Sequence, residues 1–381
     1  QACFYCNFHF STTLKQKEDL VDALLQEITF QSPDPTGPVT GGTATLPEEA
    51  GGYLGNKAIE TIYFGGGTPS LLTVGELRLI TDKLLQRFRI DKNAEITLEA
   101  NPDDITEEKL QGWKQAGINR LSIGVQSFLE EELQWMNRAH NAVQALLCIE
   151  LARANGFDDI SVDLIYGTPA LSNEDWQRNV ARVVALNIPH ISCYALTVEA
   201  NTALDKFIRE KKFPPVDPDK AALQFELLSE WLAAAGYEHY EISNFARPGR
   251  RSRHNSSYWK GEPYLGLGPS AHSFNGYSRQ WNIANNALYI QSIQRGIIPF
   301  EIEVLTPVQQ LNEYIMISLR TIEGCDLDYI KEKWGEAESE RLKAGSGQFT
   351  REGKMIFQDH HLKLTRPGQL LADGIAAGLF V

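Results

Sequence analysis

Five short runs rich in β-branched and aromatic residues recur through the first half of the chain. Their spacing constrains the fold more than any other feature. They are Glu60–Gly66 (ETIYFGG), Glu95–Ala100 (EITLEA), Arg120–Gln126 (RLSIGVQ), Asp159–Tyr166 (DISVDLIY) and His190–Leu196 (HISCYAL), each about 25 to 40 residues from the next. That is the spacing of βαβ units with parallel strands. The helices between them announce their ends. Thr73 and Glu76 form a capping box ahead of Leu77, Ile80, Leu84 and Phe88, which share one helical face. Gly117, Gly156 and Gly236 stand where helices should stop, since only glycine takes the left-handed C-cap cheaply. Ser172 predicts another cap, and Pro218 fits the first turn of a helix over Ala221–Ala235. Repeated right-handed units of this kind give an α/β fold, either an open doubly wound sheet or a barrel.

Two stretches depart from the pattern. Ser32–Asn56 holds six glycines and four prolines without periodicity and reads as a flexible inserted loop. From about Leu305 the alternation ends: helical runs at Gln309–Leu319 and Leu327–Trp334 precede a hairpin-like pair, Met355–Gln358 and Leu362–Leu364, and a final helix from Pro367. Helices followed by a small two-stranded wing predict a winged-helix-like α+β appendage over 305–381. The expected division is therefore 1–240, 241–304 and 305–381.

Composition narrows the function classes. At 43% apolar and 22% charged residues the chain is not disordered, and no apolar run approaches the ~18 residues of a membrane span. A net charge of −13 argues against a nucleic-acid or anionic-membrane partner. Five cysteines in 381 residues are too few for a disulfide-stapled secreted protein, and with no signal peptide in view a cytoplasmic setting is expected.

Ligands of parallel α/β folds bind at the carboxyl ends of the strands. There the chain offers Gly65-Gly66-Gly67-Thr68-Pro69-Ser70, then Glu99-Ala100-Asn101-Pro102, then Gln126-Ser127, with Asp163 near the end of the fourth run. The glycine triplet is not a P-loop, because no lysine follows in the required place. The polar residues together predict a site for a polar organic ligand. Cys3 and Cys6 form a C-x-x-C that alone leaves four readings open: a redox dithiol, half a zinc site with only His9 nearby, part of an iron–sulfur site, or two idle thiols.

Taken with their neighbours, these residues resemble radical S-adenosylmethionine (SAM) proteins of the oxygen-independent coproporphyrinogen III oxidase type. Ala2–Phe8 (ACFYCNF) matches the second half of that group's C-x3-C-x2-C, whose first cysteine is expected two positions before Gln1. The likeness continues through Gly65–Leu72 (GGGTPSLL), Glu99–Pro102 (EANP), Asn119–Phe128 (NRLSIGVQSF), Asp163–Pro169 (DLIYGTP) and Gly236–Phe245 (GYEHYEISNF). It covers essentially the whole chain. It implies a partial (β/α) TIM-type barrel and a 4Fe–4S cluster held by three thiolates, Cys3 and Cys6 among them, whose fourth iron takes SAM. By motif position it assigns Tyr5 to the adenine, Gly66, Gly67 and Thr68 to the SAM amino-acid end, and Glu99, Gln126, Arg138 and Asp163 to further SAM contacts.

Two functions diverge inside this group. The oxidase turns propionate side chains into vinyls by a radical decarboxylation, and its cysteine motif has one more cysteine where this chain has Phe8. The other branch consists of heme chaperones, marked by H-N-x-x-Y-W. This chain reads His254-Asn255-Ser256-Ser257-Tyr258-Trp259. Imidazole is a standard axial ligand of heme iron, so the resemblance makes His254 the heme-binding residue. The neighbouring Arg247, Arg250, Arg251 and Arg253 offer partners for heme propionates. The expected function is a heme chaperone carrying a 4Fe–4S cluster and SAM, with heme-acceptor proteins and an electron donor as partners. The alternatives are the oxidase and a metal-free α/β binding protein. His272 receives no role, and Cys148, Cys193 and Cys325 are expected to be inert.

Overall fold

The computed structural model describes residues 3–6, 14–32, 53–55 and 57–381. Residues 33–52 and 56 of the expected loop, together with Phe8 and His9, lie outside the described residues. The five runs form strands β1 (Ile59–Phe64), β2 (Ile90–Ala100), β3 (Arg120–Gln126), β4 (Ile160–Tyr166) and β5 (His190–Ala195). β2 runs parallel to both β1 and β3, and β4 runs parallel to β5. A hairpin, β6 (Glu238–Glu241) and β7 (Asn244–Ala246), adds antiparallel to β5. The strand order is β1-β2-β3-β4-β5-β7-β6. The chain is thus α/β and follows the sequence expectation.

The local signals explain the helices. Thr73 caps Val74–Arg87 through the expected capping box, and that helix buries Leu77, Ile80 and Leu84. Each such side chain contributes about 1.5–3 kcal/mol on leaving water. Ser172 caps Asn173–Ala185. Pro218 opens Pro218–Ala234, whose cap is Asp217. Gly117, Gly156 and Gly236 take φ of 89°, 79° and 80° at the helix ends, as required for left-handed caps.

The chain divides into two compact units that do not follow its order. The first comprises the described residues of Gln1–Ile160, Glu199–Lys206 and Glu262–Val304. Besides β1–β3 it holds an antiparallel sheet of β8 (His272–Phe274), β9 (Ser278–Asn282) and β10 (Phe300–Val304) that sequence periodicity did not disclose. The Lys17–Phe30 helix packs Ala23 with Tyr289, Ile290, Ile293 and Ile298. From the same helix Glu27 reaches into the interior, where it accepts hydrogen bonds from Tyr289 Oη (2.6 Å), Asn282 Nδ2 (2.6 Å) and the Gly268 amide (2.7 Å). Complete burial pushes this carboxyl up to about 7 despite its three donors.

The second unit comprises Ser161–Val198, Phe207–Gly261 and Leu305–Val381. In its last segment the expected hairpin forms as β12 (Met355–Gln358) and β13 (His361–Leu364), with β11 (Cys325–Asp326) as a third strand in the order β11-β13-β12. Thr306 caps Pro307–Leu319 with a capping box, and Leu311, Ile315, Ile330, Leu342, Leu362 and Leu379 share one core. The single helix expected from Pro367 is instead two, Arg366–Gln369 and Ala372–Leu379. Cys148, Cys193 and Cys325 are all buried, and burial pushes each thiol up, which keeps it protonated. Among the described residues no helix is long and apolar enough to cross a membrane.

Candidate functional site: a cysteine–arginine centre and a histidine–tyrosine helix

In the first unit the Cys3–Cys6 turn is pinned from outside. Phe4 donates its amide to Met136 O (3.3 Å) and accepts at its carbonyl from the Leu204 amide (2.8 Å). Arg138 then gathers the ends of two strands around this turn. Its Nη1 donates to Cys3 Sγ (3.1 Å), and its Nη2 donates to Asn101 Oδ1 and Gly124 O, both at 2.8 Å. Asn101 follows β2 and Gly124 lies in β3. Gln126 ends β3 at a φ of 66°, in the left-handed region that costs a residue with a Cβ. A Cβ built on Gly124 would sit 3.0 Å from Gln126 Nε2 and 3.4 Å from Arg138 Nη2, so the glycine is what lets these polar groups converge.

Electrostatics follow from this arrangement. A hydrogen bond from the Cys6 thiol and the neighbouring guanidinium bring Cys3 down to about 5, so Cys3 is the thiolate of the pair. Cys6 keeps its proton because its hydrogen bond to Cys3 and its burial push it up. Burial and the Arg138 charge hold His140 down to about 4. Neutral His140 donates from Nε2 to Val125 O (2.9 Å), tying the segment after Arg138 to β3.

The glycine triplet forms a second cluster, linked to the first through the end of β2. Glu99 accepts from Tyr63 Oη (2.8 Å) and from the Gly66 amide, while its burial raises its pKa. A Cβ on Gly65 would fall 2.6 Å from the Tyr63 ring and 2.8 Å from Glu99 Oε1, so no side chain fits there. Gly66, at φ 81°, and Gly67 would meet nothing within 4 Å, which leaves their backbone open to close approach. Thr68 precedes the short Pro69–Leu71 helix.

The structure therefore gathers Cys3, Tyr5, Cys6, Gln126 and Arg138 at one place and Gly66, Gly67, Thr68 and Glu99 at the adjoining loop. Asp163 belongs to the second unit, half-buried in β4 and in register with Ser192 of β5. Its charge adds to burial in raising the Cys193 thiol and the Tyr194 hydroxyl. Asn101 had been visible only as a letter inside EANP, and His140 only as a near neighbour of Arg138. Nothing in a single sequence marks the partner of an arginine.

The donor set suits an iron–sulfur cluster and SAM. One cysteine is poised as a thiolate, and a guanidinium stands beside it with Nε buried and without an acceptor. Glycine backbone lies open next to a carboxylate. Among the described residues no group of three His, Cys, Asp or Glu side chains forms a metal site.

In the second unit the H-N-x-x-Y-W residues fall on the Arg253–Trp259 helix, capped by Ser252. His254 Nε2 lies 3.0 Å from Tyr258 Oη, one helical turn on, with the rings edge to face. The Arg320 guanidinium lies 5.2 Å from the Trp259 ring centre. Arg251 and Arg247 are committed within the protein. Arg251 pairs with Glu238 (2.7 Å) and Glu323 (2.7 Å), and Arg247 donates to Ala235 O while covering the Tyr237 ring. His272 is exposed in β8 and stacks on Trp281.

A C-x-x-C turn and a glycine-rich strand end on a parallel β/α sheet are the features that the radical SAM resemblance implies. The radical SAM superfamily pattern matches residues 1–183, and the HemN C-terminal domain pattern matches 305–371. The chain is similar to heme chaperone HemW of Mycobacterium tuberculosis, at 35% identity over 87% of this chain and 83% of that protein. HemW of Bacillus subtilis is 31% identical over 84% of this chain and 85% of its own. The chain belongs to the HemW family of radical SAM proteins. In fold it matches the radical SAM enzyme coproporphyrinogen III oxidase (HemN) of Escherichia coli, with a TM-score of 0.82 and 23% identity, over 100% of this chain and 87% of that one. The architecture is accordingly the partial TIM-type barrel of radical SAM proteins with a HemN-type C-terminal domain.

Proposed function

We propose that the protein is a heme chaperone that carries a 4Fe–4S cluster and SAM, binds heme and passes it to acceptor proteins. The observation that carries this reading is the His254–Tyr258 pair, anchored on the Arg253–Trp259 helix of a chain whose relatives are named heme chaperones. A cluster supplies one-electron chemistry and an open iron for the amino and carboxylate groups of SAM. Cys3 and Cys6 ligate two of its irons, and Arg138 holds the Cys3 thiolate in place. Tyr5, Gly66, Gly67, Thr68, Glu99, Gln126, Arg138 and Asp163 bind SAM, with glycine backbone at its amino-acid end. Residues 1–240 house this centre, 241–304 hold the heme motif, and 305–381 form the appended domain. An electron donor reduces the cluster.

The test is titration of the full-length protein with heme under reducing conditions. Saturable binding by the parent that is lost in His254→Ala supports the reading, and equal binding by both defeats the assignment of His254. Conversion of coproporphyrinogen III to protoporphyrinogen IX, with stoichiometric 5′-deoxyadenosine, would establish the oxidase instead.

A further inference from the structure

The His254–Tyr258 pair carries two potential iron-binding atoms where the heme-chaperone reading uses one. We propose that Tyr258 Oη is the axial ligand of ferric heme and His254 Nε2 that of ferrous heme, the two alternating at one coordination position. The inference rests on the chaperone reading and adds to it the chemistry by which cargo is held.

Geometry limits the pair to alternation. The two atoms lie 3.0 Å apart on one helix face. Ligands on opposite sides of one iron, each at roughly 2 Å, stand roughly 4 Å apart with the porphyrin plane between them. His254 and Tyr258 cannot straddle a porphyrin. They compete for the same side of it.

Ligand chemistry then decides which atom wins. A phenolate is a hard, anionic donor and favours ferric iron, as tyrosine-ligated heme proteins show, whereas neutral imidazole serves ferrous iron well. The hydrogen bond between the two residues supplies the proton balance. When ferric heme binds, the Tyr258 O–H bond breaks, an Fe–O bond forms, and the proton crosses to His254 Nε2. When a one-electron reductant such as dithionite converts Fe(III) to Fe(II), the Fe–O bond breaks and the phenolate takes the proton back. The Nε2 lone pair then turns from the hydroxyl to the iron.

The surroundings allow this exchange with little motion. Ser252 caps the helix, Ser256 Oγ donates back to Ser252 O (2.6 Å), and Trp259 is held against Arg320. Tyr258 is 40% exposed, so a planar ligand reaches its hydroxyl without opening the core.

The experiment uses the full-length protein, its Tyr258→Phe and His254→Ala variants, hemin, and hemin reduced with dithionite. Absorption and resonance Raman spectra are recorded beside affinities, with circular dichroism to check folding. The ferric parent complex is expected to show a phenolate-to-iron charge-transfer band that disappears on reduction. Tyr258→Phe should lose the band and at least tenfold in ferric affinity, with ferrous affinity within threefold. His254→Ala should keep the ferric band and lose at least tenfold in ferrous affinity. A Tyr258→Phe complex with the parent's ferric spectrum, or a parent without the band, overturns the ligand assignment while leaving heme binding intact. No saturable binding by the parent in either oxidation state overturns the chaperone reading and the assignment together.

Discussion

The Cys3–Arg138 centre and the Arg253–Trp259 helix place reactive side chains in opposite ways. Around Arg138 the Cys3–Cys6 turn delivers a thiolate and two strands deliver an amide oxygen and a carbonyl to one guanidinium, so each group depends on the others. On the helix, His254 and Tyr258 depend on each other, while the fixing contacts come from neighbours: Ser252 at the cap, Arg320 against Trp259, and Arg251 just upstream. An interior charge network should fail as a whole when one member is removed. A surface pair on an anchored helix should lose only its own function.

The sharpest way to break that contrast is Arg138→Leu. It strands Asn101 Oδ1 and the Gly124 carbonyl and removes the cation beside Cys3. We expect a stability loss of about 3–5 kcal/mol and poor cluster reconstitution, read by denaturant unfolding and iron content. A variant that reconstitutes like the parent would show that the centre is not coupled. Glu27 gives the next largest effect, in pH dependence. Its folded-state pKa, about 7, stands above the ordinary 4.5, so the folded protein holds the proton more tightly. The stabilisation is fully present below the ordinary carboxylate range and is lost as pH rises through about 7. The fall is on the order of 3 kcal/mol between those limits. Unfolding measured against pH should show this slope, and Glu27→Gln should flatten it.

The helix predicts smaller changes. His254→Ala should cost at least tenfold in ferrous heme affinity, about 1.4 kcal/mol, while its melting temperature and cluster content stay those of the parent. Loss of the cluster in this variant would mean that His254 does more than hold heme. Arg251→Ala should matter least. Its pairs with Glu238 and Glu323 are partly exposed and worth up to about 1 kcal/mol. Because the guanidinium is already occupied, heme affinity should change by less than threefold, whereas a loss exceeding that of His254→Ala would make Arg251 a propionate clamp.

Much of this architecture was legible in the sequence because its signals are local. The β1–β5 runs, the Thr73–Glu76 box and the three left-handed glycines depend on residues within one turn or one strand of each other. The β8–β10 sheet was not legible, since its strands are short and Glu27, the charge its Asn282 helps satisfy, lies 255 residues away. The same divide runs through the site. Cys3, Glu99 and His254 sit in recognisable strings, but Asn101 and Tyr258 acquire meaning only from the atom each one touches. Gln126 was found by motif, and its φ of 66° became visible only in three dimensions.

Arg251 and Arg320 have a consequence for how such chains diversify. Arg251 ties the segment before the ligand helix to Glu323, and Arg320 spans Trp259, Glu241 and Asp373. The C-terminal segment is thus a keystone for the helix that bears His254. Exchange of that segment between homologues should succeed only when these arginines and their acidic partners travel together, so the two pieces are inherited as a unit although the chain reads them as separate modules.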